Sequence, residues 1–569
     1  MKKLLLFILL FALTILPRFV FSNNVPAAIN DDELHYTLNT KSFFVTGKDI
    51  TGKISPLDIL LFKYPTGETA QAELPYFLEM PIFGLFNFSL AGLELPNVLF
   101  GVLTVALIFL ITKKLFDEKT AFAAGFIAAL NPWLIFISRT SYEAGIAIPL
   151  FLVIVYLLLV TRGWKILLTA PVLLLAFYSY IGTKLIFVPF VFLSIFYAYF
   201  YVNKRKYLKQ YIVLFALSLL LTLFFVFQIK QATGARLSEI LTPNDPSIVK
   251  QVNYAKLTTI KNPLMNLSEN KYYVYLTVLT KNTFNVFSPH YLFAGGDYFY
   301  LVGIHGLFYY LDAIFLGLGG LFLFFKNRKL FVFLSFTIFL SALPEAFHNS
   351  AADGVFTPHV ALLVPFLIII IGFGINKMLS FRNNKYFYIV LGLITLGYGL
   401  LFLNFANAYF FRFPLQEGTF EMQNRTLTKY ISLVSNNNSV TVYASHPKSV
   451  FEEYLFYSNN YNKNNIKTLN KLLTEENYVY KNISFLSCGK RPAIPQKNLI
   501  IDDMMCGRSL PGALSIAQLS DSGARYNIYN DKLCSKYKLP RYVANLKLSD
   551  FNIESLSAQK FCQTFIIKY

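Results

Sequence analysis

Three consecutive carboxylates followed by a histidine stand near the start of the chain, in the sequence INDDELHY (residues 29–36). Asp31, Asp32 and Glu33 are the acids, and His35 lies two residues beyond Glu33. A carboxylate held beside a hydroxyl group can take its proton, and polar neighbours can fix the position of that carboxylate. Solvated loops have the same composition, so the use of this cluster depends on the elements around it.

A second set of polar residues follows two apolar runs further along the chain. Arg139 and Glu143 stand in ISRTSYEAG, and Tyr180 and Lys184 stand in YSYIGTK. The four-residue spacing of Arg139 and Glu143 would place both side chains on one face of a helix. Arginine can bind phosphate through two parallel hydrogen bonds and lysine as a point charge. A local Arg–Glu ion pair and a lysine that reaches the membrane surface stay open as simpler interpretations.

The composition indicates that these polar residues belong to a membrane protein. Of the 569 residues, 55% are hydrophobic and 14% are charged, whereas soluble proteins are about 25% charged. Apolar runs such as IPLFLVIVYLLLV, with their flanks, reach the length of about 20 residues that a transmembrane helix needs. The 51 Lys and Arg outnumber the 31 Asp and Glu, but they form short clusters between the runs, as the orientation of membrane helices requires. We therefore expect a polytopic α-helical membrane protein that binds no nucleic acid.

Eleven membrane-spanning helices are predicted from the apolar runs. Their approximate bounds are 4–22, 96–115, 119–137, 144–161, 166–182, 185–202, 210–229, 303–325, 329–347, 359–377 and 385–405. The basic clusters between them, such as NKRKYLK and KNRK, all fall on one side in this count, and the positive-inside rule makes that side cytoplasmic. We predict the cytoplasmic (inner) membrane, with the N-terminus in the cytoplasm and the C-terminus outside. The first run also resembles a signal peptide, but it lacks a clear cleavage site, which favours a retained helix.

Three long segments fall on the outer face in this topology, namely 23–95, 230–302 and 406–569. Residues 1–405 are expected to form a transmembrane domain, and residues 406–569 are numerous enough to bury a core of their own. The helical patterns TLTKYISLV and KSVFEEYLFYSNN alternate there with the strand-like runs SVTVYAS, NLIIDD and QTFIIKY. This alternation predicts a C-terminal extracytoplasmic α/β domain.

All four cysteines lie in that C-terminal domain, at Cys488, Cys506, Cys534 and Cys562. Their spacing contains no C-x-x-C pair, which disfavours a zinc site, whereas an oxidising outer compartment favours one or two disulfides. Three pairings of four cysteines are possible, and the sequence does not choose between them. No set of residues in the sequence forms a metal site and no cofactor is predicted, although a divalent cation held by two acids and a phosphate stays open.

Several motifs, in a consistent order, resemble one family of membrane enzymes. DDELHY resembles the Asp-Glu motif, with its following His, in the first outer loop of the protein O-mannosyltransferases. These form glycosyltransferase family 39 of the GT-C superfamily, to which the bacterial lipid A aminoarabinose transferases also belong. TGKDITGKISP, LPNVLFGVLTVALIFLITKKLF, AALNPWLIFISRTSYEAG, NVFSPHYLFAGGDYFY and TPHVALLVPFLIII are similar to later segments of the family. The resemblance covers residues 15–405.

The resemblance implies a GT-C fold and an inverting transfer of a sugar from a polyprenyl-phosphate donor to a hydroxyl group on the outer face of the membrane. Asp32 matches the family's proposed base and Glu33 its partner. Arg139 and Lys184 match the positions that bind the donor phosphate, with Lys184 in place of an expected Arg. The residues expected to support the site are His35, Glu143, Tyr180, Asp297 and His359.

The sequence does not identify the sugar or the acceptor, which could be a protein, a glycan or a lipid. Glu94 stands where the family's second span usually begins with Arg, so the resemblance does not name mannose or aminoarabinose. A transporter that flips lipid-linked saccharides is the main alternative, but such proteins usually carry ionisable residues within their spans. A membrane-anchored assembly protein or receptor is a second alternative. An oligosaccharyltransferase would carry a Trp-Trp-Asp motif in its outer domain, and this chain has only Trp133 and Trp164.

Overall fold

The computed structural model describes most of the chain. The described residues are 2–63, 72–203, 205–229, 240–296, 305–349, 354–380, 384–415, 422–436, 438–490, 498–507, 513–519 and 524–568. Asp297, one of the expected supporting residues, lies outside them. Parts of the predicted outer segment 230–302 lie outside them as well.

The chain divides into two compact units that are not consecutive in sequence. The helical unit consists of Met1–Phe19, Leu57–Pro75 and Asn97–Phe405, and the sheet unit consists of Val20–Pro56, Tyr76–Pro96 and Ala406–Tyr569. Two pieces of the first predicted outer segment therefore group with the C-terminal region. The division into domains 1–405 and 406–569 stays a prediction. It did not anticipate that Val20–Pro56 and Tyr76–Pro96 group with the C-terminal region.

Six helices of the described chain are long and apolar enough to cross a membrane. They are Leu90–Leu115, Glu143–Val160, Leu208–Gln228, Arg328–Ala346, Leu363–Ser380 and Phe387–Leu415. Each coincides with a span predicted from the sequence. The protein is a multi-pass membrane protein with a largely helical fold.

The other five predicted spans lie on shorter or interrupted helices. These are Lys2–Phe19, Glu118–Leu130 followed by Pro132–Ile137, Gly163–Leu168 followed by Thr169–Phe177, Phe187–Tyr197 followed by Ala198–Val202, and Tyr310–Lys326. Asn131 causes the break in the second of these. Its side chain accepts a hydrogen bond from the backbone N–H of Leu134, and Pro132 has no N–H to continue the preceding helix.

Two helices of the helical unit approach each other at glycines. Gly374 of Leu363–Ser380 faces Tyr310–Lys326 so closely that an added Cβ would lie 2.0 Å from the carbonyl oxygen of Phe315. Gly319 meets the carbonyl oxygen of Ile370 at 2.2 Å in the same way. Small residues permit this backbone contact, which is a common mode of helix association in membranes.

Shorter helices occur in the segments between the spans. They are Pro56–Leu60, Leu74–Leu85, Ile181–Lys184, Pro246–Thr258, Met265–Ser268 and Lys271–Val286, with helical turns at His290–Ala294 and Thr357–Val360. Pro246–Thr258 and Lys271–Val286 pack around Leu241, Ile248 and Val252.

The sheet unit contains a mixed sheet of seven strands within the described residues. They are β1 Val440–Ala444, β2 Val479–Tyr480, β3 Ile483–Ser487, β4 Leu499–Asp503, β5 Leu514–Ala517, β6 Ala524–Tyr529 and β7 Ile566–Lys568. Their spatial order is β2-β3-β1-β4-β6-β5-β7. β1 pairs in parallel with β3 and β4, and the remaining pairs are antiparallel. The three strands predicted from the sequence are confirmed as β1, β4 and β7.

Helices surround this sheet at Met422–Val434, Pro447–Tyr457, Ile466–Thr474 and Ala558–Phe565. The first two confirm the helical patterns TLTKYISLV and KSVFEEYLFYSNN. The four cysteines form two disulfides, Cys488–Cys506 and Cys534–Cys562. This is one of the three pairings that the sequence left open.

The Asp31–Thr46 helix, which carries the acidic cluster, packs within the sheet unit against Pro447–Tyr457. The Tyr457 hydroxyl accepts a hydrogen bond from the backbone N–H of Ile29 at 2.8 Å. The Arg425 guanidinium donates to the carbonyl oxygen of Ala27 at 2.6 Å. These contacts hold the chain at the point where the helix begins.

Candidate functional site

The acidic cluster forms the first turn of the Asp31–Thr46 helix. Asn30 precedes it, and the Asn30 side chain accepts a hydrogen bond from the backbone N–H of Glu33 at 2.9 Å. The Glu33 carboxylate in turn accepts from the backbone N–H of Asn30 at 3.1 Å. This reciprocal capping box satisfies two backbone donors that a helix start leaves open. Glu33 is buried and has a structural contact that the sequence analysis did not assign to it.

Asp31 and Asp32 are exposed in the same turn. Negative charge at this end of a helix is stabilised by the helix dipole. Asp31 accepts a long hydrogen bond of 3.5 Å from the Ser449 hydroxyl. Of the two predicted catalytic carboxylates, Asp32 is the one on the surface, because the Glu33 side chain turns back to cap the helix.

His35 is partly buried one turn further along the helix. Its Nδ1 lies 2.9 Å from the Asn39 amide nitrogen, and the Asn39 amide oxygen accepts from the backbone N–H of Ile50 at 3.0 Å. Asn39 therefore connects the imidazole to the loop that follows the helix. This arrangement limits the rotation of the ring, and the supporting role of His35 stays a prediction.

The loop that follows corresponds to the TGKDITGKISP run and is built around Asp49. The Asp49 carboxylate accepts hydrogen bonds from the backbone N–H groups of Lys53 and Ile54 at 2.8 and 3.0 Å. Gly47 and Gly52 have φ values of 73° and 74°, a region that favours glycine. The turn that follows the Asp31–Thr46 helix thus explains the spacing of Gly47, Asp49 and Gly52 in this run.

Lys184 belongs to the helical unit and is buried at the end of the short Ile181–Lys184 helix. Its ammonium group lies 2.8 Å from both carboxylate oxygens of Glu73. The side chains of Lys184 and Glu73 are 2% and 0% exposed. The rings of Phe62 and Phe225 face the ammonium group at 4.8 and 4.6 Å. Lys184 is therefore held by a carboxylate within an aromatic cage, and its role as a phosphate ligand stays a prediction.

Arg139 is fully buried just beyond the Pro132–Ile137 helix. Its guanidinium donates to the carbonyl oxygens of Pro17 and Arg18, at 3.2 and 2.9 Å. Arg18 is buried as well, and it donates to the carbonyl oxygen of Ala129 at the end of Glu118–Leu130. Arg18 and Arg139 thus connect the end of the Lys2–Phe19 helix to the region around residue 131 where the next helix is interrupted. The sequence analysis did not single out Arg18, although a charged residue inside an apolar run was the signal.

Glu143, Tyr180 and His359 are the remaining described residues of the helical unit that the sequence predicted for the site. Glu143 begins the Glu143–Val160 helix and interacts electrostatically with Lys184. Tyr180 precedes the Ile181–Lys184 helix, and its ring centroid is 6.4 Å from that of His359. The described structure therefore relates Glu143 to Lys184 and Tyr180 to His359.

His359 also belongs to a cluster that the sequence did not reveal. The His359 Nδ1 lies 3.0 Å from the Glu345 carboxylate, and the His348 Nδ1 lies 3.9 Å from the same oxygen. Glu345 and His348 were not among the expected site residues. Their three-residue spacing at the end of Arg328–Ala346 was visible, but the approach of His359 depends on the intervening turn.

Comparison with solved structures gives matches over nearly the whole chain. ArnT from Cupriavidus metallidurans bound to undecaprenyl phosphate matches with a TM-score of 0.52 and 10% identity, covering 92% of this chain and 97% of ArnT. The chain has a GT-C-like fold. The apo form of the same ArnT matches with a TM-score of 0.48 and 9% identity, covering 93% of this chain and 98% of ArnT.

The Archaeoglobus fulgidus oligosaccharyltransferase tethered to an acceptor peptide matches with a TM-score of 0.46 and 12% identity. This match covers 93% of our chain and 74% of the oligosaccharyltransferase. No protein-family model and no curated sequence matches the chain. The GT-C-like fold rests on the match to ArnT bound to undecaprenyl phosphate, and at 10% identity that match assigns no role to any residue of this chain.

Proposed function

We propose that the protein is a glycosyltransferase that moves a sugar from a polyprenyl-phosphate donor to a hydroxyl acceptor. The observation that carries the proposal is the position of Asp32, an exposed carboxylate in the first turn of a helix whose start is fixed by a capping box. The GT-C-like fold supports the same conclusion. The similar protein ArnT was solved with undecaprenyl phosphate, which supports a donor lipid of this class.

In the proposed reaction Asp32 takes the proton of the acceptor hydroxyl. The acceptor oxygen then attacks the anomeric carbon and forms the new glycosidic bond. The bond between that carbon and the phosphate oxygen breaks, and polyprenyl phosphate leaves with the electron pair. A single displacement of this kind inverts the configuration at the anomeric carbon.

Fixed positive charge must stabilise the phosphate as it leaves, because its negative charge grows in the transition state. Arg139 and Lys184 are proposed for this role. A guanidinium suits a phosphate because it offers paired donors, and a buried cation interacts more strongly than one in water. Glu143 is proposed to support Lys184, which also contacts Glu73. Tyr180, which directly precedes the Ile181–Lys184 helix, is proposed as a further supporting residue.

We further propose that the reaction occurs on the outer face of the cytoplasmic membrane. Lipid-linked donors are the usual source of activated sugar there. The acidic cluster and the sheet unit would then lie outside the cell interior, in agreement with the two disulfides, which form in oxidising compartments. The acceptor would be a hydroxyl group on a protein, a glycan or a lipid.

The test is transfer of radiolabelled sugar from synthetic polyprenyl-phosphate donors by membranes that contain the full-length protein. We expect Asp32→Asn to lower the transfer rate by about 10²- to 10⁴-fold, the usual contribution of a general base. Asp31→Asn is the matched control, because it removes an equal charge from the same helical turn and leaves the expected base in place. Equal loss in both variants would indicate that charge at the helix start matters and that Asp32 is not the base.

The Glu33→Gln variant distinguishes the helix-capping role of Glu33 from its predicted role as a catalytic partner. Glutamine can take the place of glutamate in a capping box, so this variant should keep both its fold and most of its transfer activity. A loss as large as that of Asp32→Asn, with unchanged thermal stability, would instead make Glu33 a catalytic partner. Wild-type protein that moves lipid-linked saccharides across vesicle membranes and transfers none would favour the transporter alternative.

A further inference from the structure

Glu345, His348 and His359 bring three metal-binding groups together in the helical unit. One ligand atom from each residue lies within 4.8 Å of the other two. The imidazole rings of His348 and His359 are 4.6 Å apart and nearly perpendicular, at 76°. The Nδ1 atoms of both rings lie within 4.0 Å of the same Glu345 carboxylate oxygen, at 3.9 Å for His348 and 3.0 Å for His359.

The spacing of these atoms is close to that of a tetrahedral metal site. Zinc binds histidine nitrogen and carboxylate oxygen at about 2.0–2.2 Å, which places neighbouring ligand atoms roughly 3.3–3.6 Å apart. The Glu345 Oε2 lies 3.0 Å from the His359 Nδ1 and 3.9 Å from the His348 Nδ1. These two separations lie on either side of the required value, and all three ligand atoms lie within 4.8 Å of one another, so side-chain shifts of about 1 Å would let the three residues bind one ion.

The backbone and the second carboxylate oxygen hold the three side chains in place. The Glu345 Oε1 accepts a hydrogen bond from the backbone N–H of Phe356 at 3.1 Å, which directs Oε2 towards the histidines. The backbone of His348 forms a β-bridge with Ile240. The N–H of His359 donates to the carbonyl oxygen of Phe356 at 3.0 Å. Such secondary contacts orient the ligands in known metal sites.

Burial of the cluster suits an ion that also keeps a water ligand. The Glu345 side chain is 3% exposed, whereas those of His348 and His359 are 23% and 17% exposed. A divalent cation bound by the three side chains would stabilise the charge of the buried carboxylate. The partial exposure of the two rings leaves room for a fourth ligand from solvent.

We propose that Glu345, His348 and His359 bind a divalent transition-metal ion. Two imidazoles and one carboxylate suit zinc, and they form the His₂Glu set of zinc sites that hold a water in the fourth position. The sequence analysis expected no metal site, and the only ion that it left open was one held by two acids and a phosphate. This site uses different residues, and it does not depend on the proposed transfer reaction.

The test measures metal binding directly, with tag-free full-length protein purified in detergent and stripped with a chelator. After incubation with Zn²⁺ and removal of excess ion, elemental analysis should give one zinc per chain in the wild type. The double variant His348→Ala/His359→Ala should bind zinc more than about 100-fold more weakly, since even outer-shell changes cost 10- to 100-fold. The matched control is His290→Ala/His446→Ala, which removes two exposed histidines elsewhere and should bind as the wild type does.

A cobalt spectrum keeps the test decisive if the alanine variants fold poorly. His359→Cys retains a ligand, since thiolates bind both zinc and cobalt. The Co²⁺-loaded variant should gain a thiolate-to-cobalt absorption band that the wild type lacks. Equal zinc content in wild type and His348→Ala/His359→Ala, or a His359→Cys protein without the new band, would overturn the proposal.

Discussion

Lys184 and Glu73 form an ion pair whose energetics depend on burial. Both side chains are almost fully buried, so removal of either partner leaves a charge that water cannot solvate. Breaking such a pair costs about 3–5 kcal/mol, whereas replacing both partners with neutral groups is often nearly neutral. We therefore expect Lys184→Met and Glu73→Gln each to lower the Tm of the detergent-purified protein, and the double variant to recover most of the loss.

Lys63→Met is the control for this cycle, because Lys63 is an exposed lysine of the same segment as Glu73 and should leave the Tm unchanged. Additive losses in the double variant would show that the two side chains act independently. Transfer activity adds a second measurement. If the double variant is stable but its KM for the donor rises, Lys184 contacts the donor in addition to its ion pair with Glu73.

The sequence indicated some of these residue roles and not others. The capping box was readable, because Asn30 and Glu33 have the spacing of a helix start, yet the chemical interpretation of Glu33 obscured it. The partner of Lys184 was not readable, because Glu73 lies 111 residues away. The same holds for Glu345 and His359, whose contact depends on a turn that no local pattern specifies.

The contact between the helices Asp31–Thr46 and Pro447–Tyr457 should depend on pH. Burial is the main reason that the pKa of Glu452 is raised to about 7, while Lys448 lowers it and the charge of Asp31 raises it by a smaller amount. The folded chain therefore holds a proton at Glu452 that the unfolded chain releases above its ordinary pKa of 4.5. This contribution to stability is complete below pH 4.5 and is lost as the pH rises through about 7.

Glu452→Gln should remove this pH dependence, because glutamine carries no charge at any pH. We expect the variant to match the wild type at about pH 4 and to be more stable at pH 8, by up to about 3 kcal/mol, since each pKa unit corresponds to about 1.4 kcal/mol. Thermal unfolding of the full-length protein across this range measures the effect. Glu475→Gln, at an exposed position, is the control, and an unchanged pH profile in Glu452→Gln would contradict the assignment.

Whole elements were predicted where a single physical requirement governs them. Long apolar runs gave the six long helices, and alternating patterns gave β1, β4 and β7. The interruption between Glu118–Leu130 and Pro132–Ile137 was not predicted, because Asn131 and Pro132 change the backbone inside an otherwise continuous apolar run. β2, β3, β5 and β6 were not predicted, since short strands take their stability from the neighbours with which they pair.

Each of the two compact units is built from segments that are not consecutive in sequence, which sequence order does not indicate. Val20–Pro56 and Tyr76–Pro96 belong to the sheet unit, although each is separated from the C-terminal region by several hundred residues. Phe88 stacks on Phe456 at 5.1 Å, and the Ser42 hydroxyl accepts from Asn470 at 2.9 Å. The helix that carries Asp32 is thus stabilised by residues beyond 405.

A chain that ends at residue 405 should therefore lose the fold of the Asp31–Thr46 helix, even though it retains every residue proposed for catalysis. Lys41 reports on this helix, because it is 4% exposed and donates to the carbonyl oxygen of Phe86 at 3.2 Å. We expect trypsin to cleave after Lys41 in the truncated chain and not in the full-length protein, while the exposed Lys48 is cut in both and serves as the internal reference. Transfer activity should be lost together with this protection. Protection of Lys41 in the truncated chain would mean that the first outer segment folds without the C-terminal region, and the sheet unit would then be two independent parts.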